Sequence, residues 1–287
     1  MTITHVSDTA RWVAVYRAME SERPDAHFRD PFARRLAGTE GEEIVRKMPR
    51  GRAMAWAMII RTVAFDELLL GAIARGGVTQ VVNLAAGLDA RPWRLALPPD
   101  LRWVDVDFAD VLEYKASVIG DALPRCVYET AAADLADAAA RTALFTRLGA
   151  EGRRTLVITE GLLIYLTADD VHALGTALAA VPGFAYWLSD LASPLLLRWM
   201  AKSWGRAVAQ GNAPFKFAPE ESTEFFRPLG WTLKEVRWGQ DESRRLKREM
   251  RGSWLWRILG RLYSAERREG FRRMSGFILL ERAGSPA

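Results

Sequence analysis

Residues Val81–Arg94 read VVNLAAGLDARPWR: an apolar run, three small residues, then a charged turn. Val81, Val82 and Leu84 have the composition of a buried parallel strand, and Ala85-Ala86-Gly87 that of a tight turn at the edge of a sheet. Small side chains at such a turn let a ligand approach the backbone closely. A second apolar run, Trp103 to Val106, ends in Asp107, twenty residues beyond Gly87. A carboxylate at that spacing is placed to accept hydrogen bonds from ribose hydroxyls. Together the two runs predict a nucleoside-cofactor site on a doubly wound α/β sheet.

Working outward, short apolar runs alternate with helical patterns, as they do in a parallel sheet with crossover helices. Strands are expected at 79–84, 102–107, 126–130, 155–160, 183–189, 231–238 and 275–281, the run at 126–130 being the weakest. Helices are expected near 109–119, 136–149 and 168–180, the last capped by Thr167 with Asp169 and Asp170 in its first turn. Residues 1–75 read as a helical addition, with Asp8 or Thr9 capping the first helix and Pro24 and Asp30-Pro31 marking a turn. Its last helix, Ala53 to Ile73, is apolar on most faces but interrupted by Arg61 and Asp66. A charge in so apolar a setting requires a partner. Residues 190–227 break the rhythm and are expected to form a lid insertion over the carboxyl ends of the strands. Trp187, Trp199, Trp204, Phe215 and Phe217 lie on or near it. The placement of the final run, SGFILLE, after the basic segment suggests an antiparallel last strand, with its direction left open by the sequence, and residues 1–287 are expected to form one domain.

Composition narrows the function classes. With 287 residues, 49% hydrophobic and 26% charged, the chain suits a soluble globular protein with a sizeable core. The lone Cys126 excludes an internal disulfide, and no Cys/His cluster suits a metal. The N-terminal MTITHVSDTARW lacks a signal-peptide layout, and no apolar run approaches the ~18 residues of a membrane span. A cytoplasmic protein with no membrane partner is expected. Between Asp241 and Arg273, 11 Lys/Arg face 5 Asp/Glu, which accounts for the formal net charge of +5. This segment reads as a solvated helical face, with an anionic substrate as the alternative. It carries no recognition motif, so no nucleic-acid partner is expected.

The stretches SDTARWVAVYRAMESERPD (7–25), FRDPFARRL (28–36), LAAGLDARPWRL (84–95), DVDFADVLEYK (105–115), AADL (132–135) and TEGLLIYL (159–166) occur in this order. In combination they resemble the leucine carboxyl methyltransferase-like family, within it the bacterial branch of S-adenosylmethionine-dependent O-methyltransferases. The resemblance runs from about Ser7 to Glu281. It implies a class I methyltransferase: a Rossmann-like, mostly parallel seven-stranded sheet with helices on both faces, a helical N-terminal addition and a lid. It implies S-adenosyl-L-methionine as cofactor. Gly87 and the backbone at Ala85 would hold its methionine part, Asp107 its ribose hydroxyls, and Asp134 with the Leu135 backbone its adenine edge. Glu160 would lie beside the amino-acid moiety, and Arg61 would pair with the cofactor carboxylate, assisted by Arg17. Relatives often carry Gly-Ala-Gly where this chain has Ala85-Ala86-Gly87, which requires residue 85 to avoid positive φ.

Each of these residues has a plainer alternative. Asp107 could cap the following helix, Asp134 could be a turn residue, and Arg61 could bridge to Asp66, although i,i+5 is a poor helical spacing. Tyr165 is a substrate-contact candidate that could equally be packing. His5, His27 and His172 are scattered and suggest no base, and Cys126 reads as a buried strand residue. A nicotinamide dehydrogenase would need G-x-G-x-x-G, where this chain has Ala85, Gly87 and Ala90. A nucleic-acid or amino-N methyltransferase would need Asn/Asp-Pro-Pro-aromatic, where it has Glu160-Gly161-Leu162-Leu163. A sulfonium methyl is already electrophilic, so the protein has mainly to align an acceptor oxygen and exclude water. With no base in view, a small-molecule carboxylate or acidic phenol is the expected acceptor. Protein carboxyl methylation and cofactor binding without catalysis remain the alternatives, and oligomeric state is not readable.

Overall fold

The computed structural model describes residues 7–48, 51–200, 202, 215–250, 252–253, 260 and 262–284. Seven strands form one sheet: β1 (Gln80–Leu84), β2 (Arg102–Asp107), β3 (Val127–Ala132), β4 (Thr155–Thr159), β5 (Phe184–Ala192), β6 (Trp231–Trp238) and β7 (Ser275–Arg282). Their order is β3-β2-β1-β4-β5-β7-β6. All pairings are parallel except those of β7, which runs antiparallel between β5 and β6. The chain leaves β1 toward β2 on one side and returns to β4 on the other. The order therefore reverses between β1 and β4, where a crevice opens at the carboxyl ends of the strands.

Helices cover both faces, and the period-2 alternation of the strands assigns each residue to one of them. Val81, Trp103, Ile158, Leu188 and Leu279 pack with α3 (Ala55–Gly76) on one face. Val82, Val104, Val157, Trp187 and Leu280 pack with α6 (Ala138–Gly149) and α7 (Ala168–Ala179) on the other. A third cluster joins α1 (Ser7–Ser21) and α2 (Ala33–Lys47) to the start of α3 and to Leu88 and Ala90, so the N-terminal helices sit against the turn after β1. Gly77 ends α3 in the left-handed conformation, φ +64°. Thr167 and Asp170 form a reciprocal capping box at the start of α7. Among the described residues, no helix is long and apolar enough to cross a membrane.

Several boundaries differ from expectation by a few residues, and three of the differences have a physical reason. β3 runs to Ala132, and as an edge strand it exposes four of its six residues, so its apolar signal is weak. β5 continues through Asp190, Leu191 and Ala192, the first residues of the expected insertion, because β7 supplies them with antiparallel partners. α1 begins at Ser7, which places Asp8 and Thr9 inside its first turn rather than ahead of it. Trp204 lies outside the described residues.

Candidate active site

The turn after β1 sets the geometry of the crevice. The Ala86 N–H donates to the Val106 carbonyl at 3.1 Å, and the Gly87 N–H donates to Asp107 Oδ2 at 2.7 Å. Both bonds reach across to β2, and making them folds the chain sharply back. As a result Ala85 takes φ +51° and Gly87 φ +50°. The expectation that residue 85 avoids positive φ is therefore wrong. The alanine is held in the left-handed region at a cost of about 1–2 kcal/mol, offset by the ties to β2. At Gly87 a Cβ would stand 3.1 Å from that of Ala10, so the turn is closed to side chains from the α1 side as well.

Asp107 does not cap the next helix. Its Oδ1 accepts the Phe108 N–H at 2.8 Å, while α5 (Ala109–Ile119) has Phe108 at its N-cap with no side-chain bond. Burial pushes the Asp107 carboxyl above its usual range, partly opposed by the Gly87 and Phe108 N–H groups. Asp134, just past β3, accepts the Ala136 N–H at 2.9 Å, and the Leu135 carbonyl accepts Arg141 Nη1 at 2.7 Å.

Under the turn, Asn83 Nδ2 donates to both Asp89 Oδ2 and Asp105 Oδ1, each at 3.1 Å. Asp105 also receives Lys115 Nζ at 2.5 Å, the Tyr128 hydroxyl at 2.8 Å and Trp103 Nε1 at 2.8 Å. This buried carboxylate is fully partnered, and it fixes the floor on which the turn rests.

Beside the turn lies a chain of alternating charges. From α4 (Arg91–Arg94), Arg94 makes a two-pronged pair with Asp66 of α3, at 2.6 and 2.8 Å. Arg91 Nε meets the same Asp66 at 2.7 Å, and its Nη1 meets both Asp89 and Glu160 at 2.7 Å. Glu160 Oε1 lies 2.9 Å from Arg61 Nε, and Arg61 Nη1 lies 3.4 Å from Asp190 Oδ2. Burial alone would raise the carboxyls of Asp89 and Glu160, but Arg91 acting on both, with Arg61 on Glu160, holds them below the usual range. Asp190 behaves oppositely: burial pushes it up, and Arg61 and the Gly161 N–H only partly offset that.

Arg61, Ala85, Gly87, Asp107, Asp134, Leu135, Glu160, Arg17 and Tyr165 all line one cavity of ≈ 1780 Å³. The residues proposed from the sequence thus share one cavity, and their partners in the fold are as follows. Arg61 does not bridge to Asp66; both oxygens of Asp66 are taken by Arg91 and Arg94. Arg17 ties α1 to the body through Asp30 (2.8 Å) and the Leu88 carbonyl (2.6 Å). Tyr165 packs on Phe215, ring centroids 5.7 Å apart. Trp187 belongs to no lid: it is fully buried in β5, edge-on to Phe226 and Trp231, with its Nε1 on Thr159. The basic segment is not simply a solvated face, since Arg248 is buried against Glu20 and Asp25. Sequence reasoning missed Asp89, Arg91, Arg94 and Asp190. The demand of Asp66 for a partner was the signal that could have found the first arginines.

These residues fit a nucleoside that carries an amino acid. The turn admits close approach, and the Asp107 carboxylate, bonded to the Gly87 and Phe108 N–H groups, stands at its edge and lines the cavity. Arg61 lines the cavity with its Nε 2.9 Å from Glu160 Oε1 and its Nη1 3.4 Å from Asp190. Sheet, switch-point crevice and donor set together define a Rossmann-like methyltransferase fold. Residues 10–179 match the profile of the leucine carboxyl methyltransferase family. A Streptomyces coelicolor protein, provisionally named an S-adenosyl-L-methionine-dependent methyltransferase, is 36% identical over 239 residues, 78% of this chain and 80% of its own. A Mycobacteroides abscessus protein of the same provisional name is 41% identical over 179 residues, 58% of this chain and 56% of its own. The crystal structure of a Streptomyces avermitilis protein of the duf574 family superposes with a TM-score of 0.59 at 14% identity, over 96% of this chain and 97% of the other. A Thermobifida fusca structure, provisionally called a methyltransferase, gives 0.59 at 14% over 96% and 94%. The chain belongs to the leucine carboxyl methyltransferase family.

Proposed function

We propose that this protein is an O-methyltransferase that moves the methyl group of S-adenosyl-L-methionine to an oxygen of a small-molecule acceptor, a carboxylate or acidic phenol. Membership of the family makes the chain an S-adenosyl-L-methionine-dependent methyltransferase; the oxygen acceptor and its small size are our reading. The observation that carries it is the order of polar groups along the strand ends. Asp134 follows β3, Asp107 ends β2, Gly87 follows β1 and Glu160 follows β4, with Arg61 beside it. Adenine, ribose and amino acid, in that sequence, match this row.

In this reading Asp107 accepts the ribose hydroxyls, Asp134 and the Leu135 backbone face the adenine edge, and Arg61 pairs with the carboxylate of the amino acid. Glu160, clasped by Arg91 and Arg61, holds the Arg61 fork in place beside the amino acid. Arg17 braces α1 against the Leu88 carbonyl and so keeps the turn closed. The bound donor supplies an electrophilic methyl group. What remains for the protein is alignment and the exclusion of water. Met54, Trp56, Met58, Tyr165 and Phe215 give the cavity an apolar wall, which suits an apolar or aromatic acceptor. A carboxylate acceptor is already ionised at neutral pH and needs no base.

Isothermal titration with S-adenosylmethionine, S-adenosylhomocysteine and NAD tests the donor, and labelled-methyl transfer to carboxylic acids and phenols tests the acceptor. Binding of the adenosyl compounds without NAD, followed by transfer to oxygen, is the expected result. Binding of NAD alone would overturn the reading, and transfer only to nitrogen would overturn its oxygen half.

A further inference from the structure

The basic segment from Asp241 to Arg273 holds eleven Lys/Arg and five Asp/Glu, and the fold sorts its arginines into two groups. Arg245, Arg248, Arg272 and Arg273 are held by carboxylates. Arg245 meets Glu67 and Glu242, Arg248 meets Glu20 and Asp25, Arg272 meets Asp241 and Glu269, and Arg273 meets Glu269. Arg244, Arg267 and Arg268 pair with no carboxylate among the described residues, and all three line the same cavity as the turn after β1. The segment's own acids do not supply their counter-charge. Asp241, Glu242, Glu249 and Glu269 have other partners, and Glu266 is not part of the cavity wall. Arg251, Arg257 and Arg261, which lie outside the described residues, add no anion.

Arg244 belongs to the helix Gly239–Arg245 after β6, and Arg267 and Arg268 to the helix Ala265–Arg272 before β7. Arg272 joins the two helices by donating to Asp241 at 2.8 Å, so both bring their arginines to one end of the cavity. Arg267 is set in place by stacking: its guanidinium lies 4.3 Å from the centre of the Tyr263 ring and 5.9 Å from that of Phe271. Stacking covers the faces of the fork and leaves its N–H edge for an oxyanion. Ser275 and Gly276, which open β7, line the cavity beside these helices. In the sheet, β7 stands two places beyond β4, which at about 4.8 Å per strand is about 10 Å past Glu160. Between the two ends the wall is apolar, with Leu196, Met200, Phe215, Met274 and Phe277. Cations gathered at one end of a cleft concentrate anions there, and an apolar stretch leading to them suits a ligand with an apolar body and a charged tail.

We propose that Arg244, Arg267 and Arg268 dock an oxyanion, a carboxylate or a phosphate, at the end of the acceptor remote from the oxygen that takes the methyl group. The substrate is then an apolar acid with a second anionic group about 10 Å away. This rests on the reading that the cavity methylates a small molecule. The test is calorimetry on protein saturated with S-adenosylhomocysteine, with three probes: biphenyl-4,4′-dicarboxylate, biphenyl-4-carboxylate and 4′-phosphonobiphenyl-4-carboxylate. The first carries its two anions about this far apart, and the second lacks one of them. Wild type should bind the dicarboxylate roughly tenfold tighter than the monocarboxylate, the modest end for a charged hydrogen bond because the arginines are exposed. The double variant Arg267→Gln, Arg268→Gln should lose that preference. Lys247→Gln, exposed on the same segment but not on the cavity wall, should keep it. Tighter binding of the phosphonate than of the dicarboxylate assigns the dock to phosphate, and the reverse order assigns it to carboxylate. Equal binding of dicarboxylate and monocarboxylate by wild type, or no binding of either, overturns the dock. So does a preference that survives in the double variant, or one that falls equally in Lys247→Gln. Should the double variant not fold, Arg244→Gln takes its place. Wild type that binds no S-adenosylhomocysteine defeats the methyltransferase reading itself, whereas a saturated protein indifferent to the second anion defeats the dock alone.

Discussion

Lys115→Met removes a cation from a place water does not reach. Lys115 is 1% exposed on α5, and its partner Asp105 is fully buried in β2. Methionine retains the length and most of the apolar packing against the Trp93 and Tyr128 rings, over which the ammonium lies at 5.5 and 5.8 Å. What is lost is the 2.5 Å ion pair. Breaking one side of a buried pair costs about 3–5 kcal/mol, because the other charge stays behind uncompensated. Here Tyr128, Trp103 and Asn83 still donate to the carboxylate, which puts the expected loss at the lower end, about 3 kcal/mol. At about 2.1 cal/mol/K per residue, a chain of 287 residues has an unfolding entropy near 0.6 kcal/mol/K, so the melting temperature should fall by about 5 °C. Urea unfolding, read by fluorescence, measures the same loss as a shift in midpoint at constant slope. Adding Asp105→Asn removes the stranded charge and should recover part of the loss, a positive coupling in the double-mutant cycle. A Lys115→Met loss below about 1 kcal/mol, or a double variant no more stable than the single one, would refute the view of this pair as a dry, coupled unit.

Asp107→Ala should weaken S-adenosylmethionine binding by about 1–3 kcal/mol, since charged hydrogen bonds are lost; unchanged affinity by calorimetry removes Asp107 from the site. Ala85→Val should destabilise the fold by about 2 kcal/mol or more, because a β-branched side chain tolerates positive φ poorly. Ala85→Gly should stay within about 1 kcal/mol, as relief of strain offsets the greater freedom of the unfolded chain; equal losses in chemical unfolding would show that the left-handed turn is not strained. Asp89 and Glu160 have lowered folded pKa values, so their stabilisation is present above about pH 4 and disappears as pH falls through the lowered values. The melting temperature should therefore drop steeply on acidification, and Glu160→Gln should flatten that drop; an unaltered pH profile would discard the assignment. Asp190 has the opposite sign: its folded pKa is raised, so ionisation removes stability as pH rises through the raised value. At pH 7 Asp190→Asn should melt no lower than wild type; a lower melt would contradict the raised folded pKa at that position.

What the sequence disclosed was local or fixed by strand–turn–strand spacing. The small-residue turn at 85–87 and the carboxylate at 107 belong to one βαβ step, where twenty residues bring strand ends side by side. The Thr167 cap was legible for the same kind of reason, whereas the direction of the last strand, which the sequence left open, is set by its pairing between β5 and β6. The partners of the two charges in α3 were not. Each was seen to need one, but helical spacing offered only the other, five residues away. Their real partners, Arg91 and Arg94 for Asp66 and Glu160 and Asp190 for Arg61, come from as far as 129 positions along the chain. They meet only because the sheet sets β4 beside β1 and β5 beside β4. Trp187 was misread for a related reason: its neighbourhood in sequence looked like the start of an insertion, whereas antiparallel pairing with β7 carries the strand past it. The two α3 charges end in different conditions, and that difference carries the functional argument. Asp66 is met on both oxygens by two arginines, which accounts for it as scaffold. Arg61 is held by Glu160 at 2.9 Å, reaches Asp190 only at 3.4 Å, and lines the cavity. A stable apolar pair could fill the same volume at no electrostatic cost; a guanidinium held at the cavity wall makes sense when an anionic group of the ligand comes to meet it.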